Sequence, residues 1–152
     1  MTKLQKAIDK NQSTQEIEKR ILVFKHYRDL NMKQDNEQMN YFVLIDNAEV
    51  KENTIIKVDE WLQILGDSLK TIAAKELKSI RLDIDNYEKA LGGEMGAIEQ
   101  LKSLLNVITE IKNKSMDMEF RIVEVQEQFR VLDMYEYDIE EDVRKEVDGL
   151  MA

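Results

Sequence analysis

The chain has 152 residues and a formal net charge of −9, with 35% charged residues, five glycines, no proline and no cysteine. A typical soluble chain of this length holds about seven prolines and about ten glycines, so turn-rich β folds and glycine-rich phosphate loops are disfavoured and long helices are favoured. The absence of cysteine excludes disulfide frameworks, thiolate metal sites and cysteine nucleophiles, and the acidic balance opposes nucleic acid and anionic lipid as partners.

Residues 1–39 read as an N-terminal helix or helices. Leu4, Ile8, Ile17, Ile21, Phe24 and Tyr27 stand at helical spacing, with the polar stretch Asn11-Gln12-Ser13-Thr14 weakening the stripe in its middle. Residues 40–47 read as a connector. Within it Tyr41-Phe42-Val43-Leu44-Ile45 is the longest apolar run, too short to span a membrane, and an extended conformation near 41–45 suits its β-favouring residues. A run this apolar is expected to dock against the helices. Asp46 or Asn47 is a good cap for a helix beginning near Ala48, and Glu49 and Glu52 suit the positive end of its dipole.

Residues 48–135 read as a long antiparallel helical hairpin with its turn at 92–96. Gly92-Gly93, with Gly96 close behind, tolerates the left-handed backbone that ends a helix. Before the turn, Val58, Leu62, Leu65, Leu69, Ile72, Ile80, Ile84, Tyr87 and Leu91 form one apolar stripe with a gap at Glu76. After it, Ile98, Leu101, Leu105, Ile108, Ile111, Met118, Ile122, Val125, Phe129 and Leu132 form a second, with Ser115 in the gap. Leu105 and Val125 are accordingly expected in the core.

Residues 136–152 read as the start of a further short helix. Tyr135-Glu136-Tyr137-Asp138 interrupts the pattern, and Ile139, Val143, Val147 and Leu150 resume it. The periodic segment reaches Ala152 without a cap signal beyond Gly149, as expected of a fragment of a much larger chain. A two-helix rod buries only one stripe on each member, so flanking helices should complete it. The fold class expected is all-α: an elongated antiparallel helical bundle.

No residue is assigned a catalytic, cofactor-binding or metal-binding role. His26 is the only histidine and Val23 stands three residues before it, so the Glu-x-x-His pairs of di-metal bundles are missing. The acidic cluster Glu136, Asp138, Glu140, Glu141 and Asp142 lacks the glycine and ligand spacing of a calcium loop and reads as a helix N-terminus. Gly92-Gly93-Glu94-Met95-Gly96 lacks the Lys-Ser/Thr of a phosphate loop. Trp61 and the eight methionines suit packing between helices. Phe120 falls off the main stripe, toward a neighbouring helix or a partner.

Phe42-Val43-Leu44-Ile45-Asp46, then Trp61, then Glu76-Leu77-Lys78-Ser79-Ile80, and finally the run Glu119 to Tyr137 follow one another in an order that resembles the tail of axonemal dynein heavy chains, in the last part before the linker and motor ring. In that family a phenylalanine-and-aspartate segment precedes a long tryptophan-bearing helix, a second long helix returns, and a leucine-x-x-tyrosine boundary leads into a short acidic helix. Leu132-Asp133-Met134-Tyr135 and Ile139-Glu140-Glu141-Asp142-Val143 stand in those places, over about residues 40–152. The family's usual proline near the start of the first hairpin helix has no counterpart. On this resemblance the packing signature is Phe42, Asp46, Trp61, Leu105, Ile122, Val125, Phe129, Leu132 and Tyr135.

The resemblance implies a structural and assembly segment of an ATP-driven, minus-end-directed microtubule motor, with the motor's catalytic sites elsewhere and no cofactor in this segment. Dynein intermediate and light chains or a neighbouring heavy chain are the implied partners, and the cytoskeleton of the ciliary or flagellar axoneme, in the cytoplasm, the implied location. The alternative is an unrelated spectrin-like cytoskeletal helical adaptor, which would carry the same stripes.

Overall fold

In the computed structural model, residues 13–92 and 98–150 are described. Over these residues the chain is all-α apart from one small hairpin: α1 (Thr14–Lys33), β1 (Glu37–Asn40), β2 (Val43–Asp46), α2 (Ala48–Leu91), α3 (Ile98–Met134) and α4 (Glu141–Gly149). Two compact units, Met1–Leu69 and Lys70–Ala152, divide it inside α2. Leu4 and Ile8 lie outside the described residues, as do Gly93 to Gly96 of the expected turn. Gly92 does not take the left-handed backbone, since no described glycine has a positive φ.

In the first unit, α1 opens at Thr14, and the Ser13 carbonyl accepts the amides of Glu16 at 2.9 Å and Ile17 at 3.2 Å. Ile17 and Ile21 of α1 and Val58, Leu62, Leu65 and Leu69 of α2 are buried. The two helices meet through the rings of Phe24 and Trp61, 5.4 Å apart and tilted by 47°, and through Arg28 Nε to Asp59 Oδ1 at 2.8 Å. Moving forward on α1 moves backward on α2, so the pair is antiparallel.

Between them stands a hairpin that the sequence reading captured only in part. β1 and β2 pair antiparallel, with Glu37 opposite Asp46 and Asn40 opposite Val43. Tyr41 and Phe42 are therefore the turn of the hairpin. Tyr41 has φ 58°, the left-handed region where glycine or asparagine usually stands. Expected docking of this apolar run does not occur in the first unit: Tyr41 to Asp46 are all exposed, and Phe42 is 100% exposed. Two strands with a two-residue turn have no third layer to cover their faces.

The base of the hairpin is fastened to α2. Lys51 Nζ donates to the Gln34 carbonyl at 2.8 Å and to Asn36 Oδ1 at 3.1 Å, while Asn47 N donates to the Asn36 carbonyl at 2.6 Å. Asp46 and Asn47 share the work at the start of α2. Asp46 Oδ1 accepts the Ala48 amide at 2.9 Å, and the Asn47 carbonyl accepts Lys51 N at 2.9 Å, opening the helical ladder.

In the second unit the core is made by Ala73, Leu77 and Ile80 of α2, Val125, Phe129, Val131 and Leu132 of α3, and Val147 of α4. On α2 the buried row runs through Ala73 and Leu77, not through Ile72, which is 40% exposed. A small alanine on the i, i+4 row lets the facing helix approach closely, and the larger isoleucine is turned to the side.

α3 ends at Met134 with two backbone bonds, Glu136 N to the Asp133 carbonyl at 3.1 Å and Tyr137 N to the Leu132 carbonyl at 3.0 Å. Glu136 sits between them at φ 61°. This is the double-bonded helix end that normally selects glycine at the left-handed position. Lys70 Nζ donates to the Asp138 carbonyl at 2.9 Å, and ion pairs join Arg81 to Glu146 and Arg144 to Asp133, so α4 is held by charges as well as by Val147.

Candidate interaction surface

The strongest polar constellation lies between α2 and α3. Glu76, Ser79 and Asp83 are spaced three and four apart and therefore share one face of α2. Arg121 of α3 meets all three: its Nε donates to Glu76 Oε1 at 2.6 Å, its Nη1 to Asp83 Oδ2 at 2.7 Å and its Nη2 to Ser79 Oγ at 2.9 Å. Hydrogen bonds to the Asp83 and Glu76 carboxylates push the Arg121 pKa further up, against the opposing effect of burial. A planar fork with five donors suits this three-point grip, which a lysine could not reproduce.

Farther along, Lys114 Nζ donates to Glu110 Oε1 at 2.7 Å, and Glu110, with Tyr87 of α2 adding to it, raises the Lys114 pKa. Ile84, Tyr87, Leu91, Ile111 and Met118 line an apolar groove of about 360 Å³ at this level. Arg121 opposite Ser79 and Lys114 opposite Tyr87 define an antiparallel pair in the second unit.

α3 carries two apolar rows, where the sequence reading had one. At about 100° per residue, Ile111, Met118, Ile122, Val125, Phe129 and Leu132 cluster on the face turned to α2, whereas Leu101, Leu105, Ile108, Met116, Phe120 and Val123 cluster about 130° away. The inner row is buried or half-buried and the outer row exposed, with Leu105 at 57% and Phe120 at 68%. The expectation of a core position for Leu105 is thereby corrected. Steps of three and four connect the two rows, so the apparent single stripe crossed from the outer row to the inner one near Ile111.

Of the remaining signature residues, Val125, Phe129 and Leu132 are buried, Ile122 and Tyr135 half-buried, and Phe42, Asp46 and Trp61 exposed. Asp46 caps α2 and Trp61 leans on Phe24; Phe42 touches solvent alone. The structure thus brings Ile122 to Leu132 together in one core and leaves Phe42 and Leu105 outside it. Arg121 escaped the sequence reading, although the gap at Glu76 was its signal: a polar interruption in one stripe asks for a partner on the facing helix.

Beside the grip, Ile72, Glu76, Phe120, Arg121, Glu124 and Gln128 line a surface groove of about 340 Å³. His26 is exposed and lies next to the Tyr27 ring, 6.5 Å away. Among the described residues, no three of His, Cys, Asp or Glu gather where they could hold a metal ion, and no helix is long and apolar enough to cross a membrane. What the surface offers is apolar contact area edged with charge.

No family model matches the chain, and no solved structure matches it. It is 36% identical to human dynein axonemal heavy chain 10 over 75 residues, 49% of this chain and 2% of that one. It is 25% identical to human dynein axonemal heavy chain 2 over 109 residues, 72% of this chain and 2% of the relative. Against the dynein-1-alpha heavy chain of the flagellar inner arm I1 complex of Chlamydomonas reinhardtii it is 24% identical over 101 residues, 66% and 2% of the two chains. The matched stretch is thus a very small share of each relative. Over part of its length, the chain is related in sequence to axonemal dynein heavy chains.

Proposed function

We propose that this chain is a structural and assembly segment of the tail of an axonemal dynein heavy chain, close to the linker, and that it performs no catalysis itself. The observation that carries the reading is the local similarity to three axonemal dynein heavy chains. The form of the chain supports it. Long unbroken helices, joined by a buried row and by the grip of Arg121 on Glu76, Ser79 and Asp83, resist sliding along their length, as a segment that transmits force must. The exposed hairpin provides apolar area for other subunits. On this reading the partners are dynein intermediate and light chains or a neighbouring heavy chain, the location is the axoneme, and ATP hydrolysis belongs to other parts of the parent motor. A spectrin-like adaptor would have similar stripes; the similarity to dynein chains favours the first reading.

The test is to express the tagged 152-residue chain in a ciliated cell and identify what purifies with it. Recovery of dynein intermediate or heavy chains above an untagged control is expected. Recovery of membrane-skeleton proteins with no dynein subunit would overturn the assignment.

A further inference from the structure

From the outer row of α3 we infer a self-association surface, whose occupant is the same face of a second copy running antiparallel. Two independent features of α3 point to a copy of itself. One is the spacing. Leu101, Leu105 and Ile108 lie as far before Lys112 as Val123, Phe120 and Met116 lie after it, to within one residue. A two-fold axis near Lys112 therefore sets Leu101 against Val123, Leu105 against Phe120 and Ile108 against Met116 of the other copy, each contact occurring twice.

The other feature is charge. On the outer side of α3, residues 101–114 carry Lys102 and Lys112 and no carboxylate, whereas in residues 115–134 Glu119, Glu124, Glu127 and Asp133 outnumber Arg130. Parallel copies would set like charges together, and antiparallel copies set the basic half of each against the acidic half of the other. The arrangement is specific in register. At about 100° and about 1.5 Å per residue, Lys102 falls on the same flank as Glu124 and Glu127, about 3 Å and about 7.5 Å along the axis from them in the second copy. Opposed helix dipoles add to the preference. One residue works against the pairing: the two Lys112 ammonium groups meet at the axis, and their repulsion sets the limit on affinity.

This inference stands apart from the dynein assignment, because it concerns only how α3 meets its own copy. Sedimentation equilibrium of the 152-residue chain between about 2 and about 200 μM, at low and moderate salt, tests it. A monomer–dimer equilibrium that weakens with salt is expected. Lys112→Leu should tighten it at least tenfold, and Phe120→Glu should abolish it with helical circular dichroism unchanged. Lys102→Glu and Glu124→Lys should each weaken it, and the double variant should restore it. A monomer at every concentration, including for Lys112→Leu, overturns the proposal and assigns the face to a different partner. A dimer indifferent to Phe120→Glu, or a double variant no better than its parents, overturns it equally.

Discussion

Arg121 and Asp83 are joined at 2.7 Å across the two long helices, and the same guanidinium holds Glu76, seven residues earlier on α2, at 2.6 Å. One side chain thus spans two turns of the facing helix and fixes the register between them. All three residues keep contact with solvent, so each ion pair alone is worth little; the geometry of the fork is what adds them together. Arg121→Ala should lower the stability of the fold by about 1–2 kcal/mol. Arg121→Lys should recover less than half of that, because an ammonium cannot reach both carboxylates and Ser79 at once. Urea denaturation of the three proteins measures both effects.

Burial separates two leucines that look alike in sequence. Leu132 is fully buried and Leu105 is largely exposed. Leu132→Ala should cost about 2–5 kcal/mol, through lost transfer energy and the cavity left behind. Leu105→Ala should cost less than about 0.5 kcal/mol in dilute monomer. Thermal melts at low micromolar concentration distinguish the two, and equal shifts would mean that the inner and outer rows are misassigned.

Glu136 occupies a left-handed position at the end of α3, where its side chain opposes the backbone. Glu136→Gly should stabilise the fold by about 0.5–1 kcal/mol, the relief of strain exceeding the entropy that glycine adds to the unfolded chain. Tyr41 presents the same geometry at the hairpin turn, and Tyr41→Asn should slow amide exchange in β1 and β2 about threefold.

The Arg130 guanidinium, binding Glu127 at 2.7 and 2.8 Å, holds that carboxyl below the usual range, which lies near 4.3. A carboxyl whose pKa is lower in the folded than in the unfolded chain stabilises the fold above its unfolded value. That contribution disappears as the pH falls through the depressed folded value. The Glu127 resonance should therefore titrate at more acidic pH than exposed glutamates, and Arg130→Ala should return it to the ordinary range. An unchanged titration in Arg130→Ala would remove the assigned cause.

Helices were legible because spacing and the absence of proline act along the chain. Steps of three and four from Val58 to Leu69, and from Val125 to Leu132, mark faces that are buried. The hairpin was half legible. Val43 to Ile45 carry β-favouring side chains, but their partner strand Glu37-Gln38-Met39-Asn40 is polar, and Tyr41-Phe42 is an unusual turn dipeptide, so nothing local announced the pairing. The division of the α3 pattern into two rows was hidden for a different reason. An apolar row gives the same spacing whether it meets α2 or solvent, and only the position of the facing helix decides which. Arg121 likewise had meaning only once Glu76, Ser79 and Asp83 were seen across from it.

The assignment to a dynein tail is tested most directly by fractionating axonemes from ciliated cells that express the tagged chain. The account predicts that the chain is retained on washed axonemes and released with the dynein heavy chains when salt is raised. Recovery wholly in the membrane-skeleton fraction, with none released alongside dynein, would contradict it.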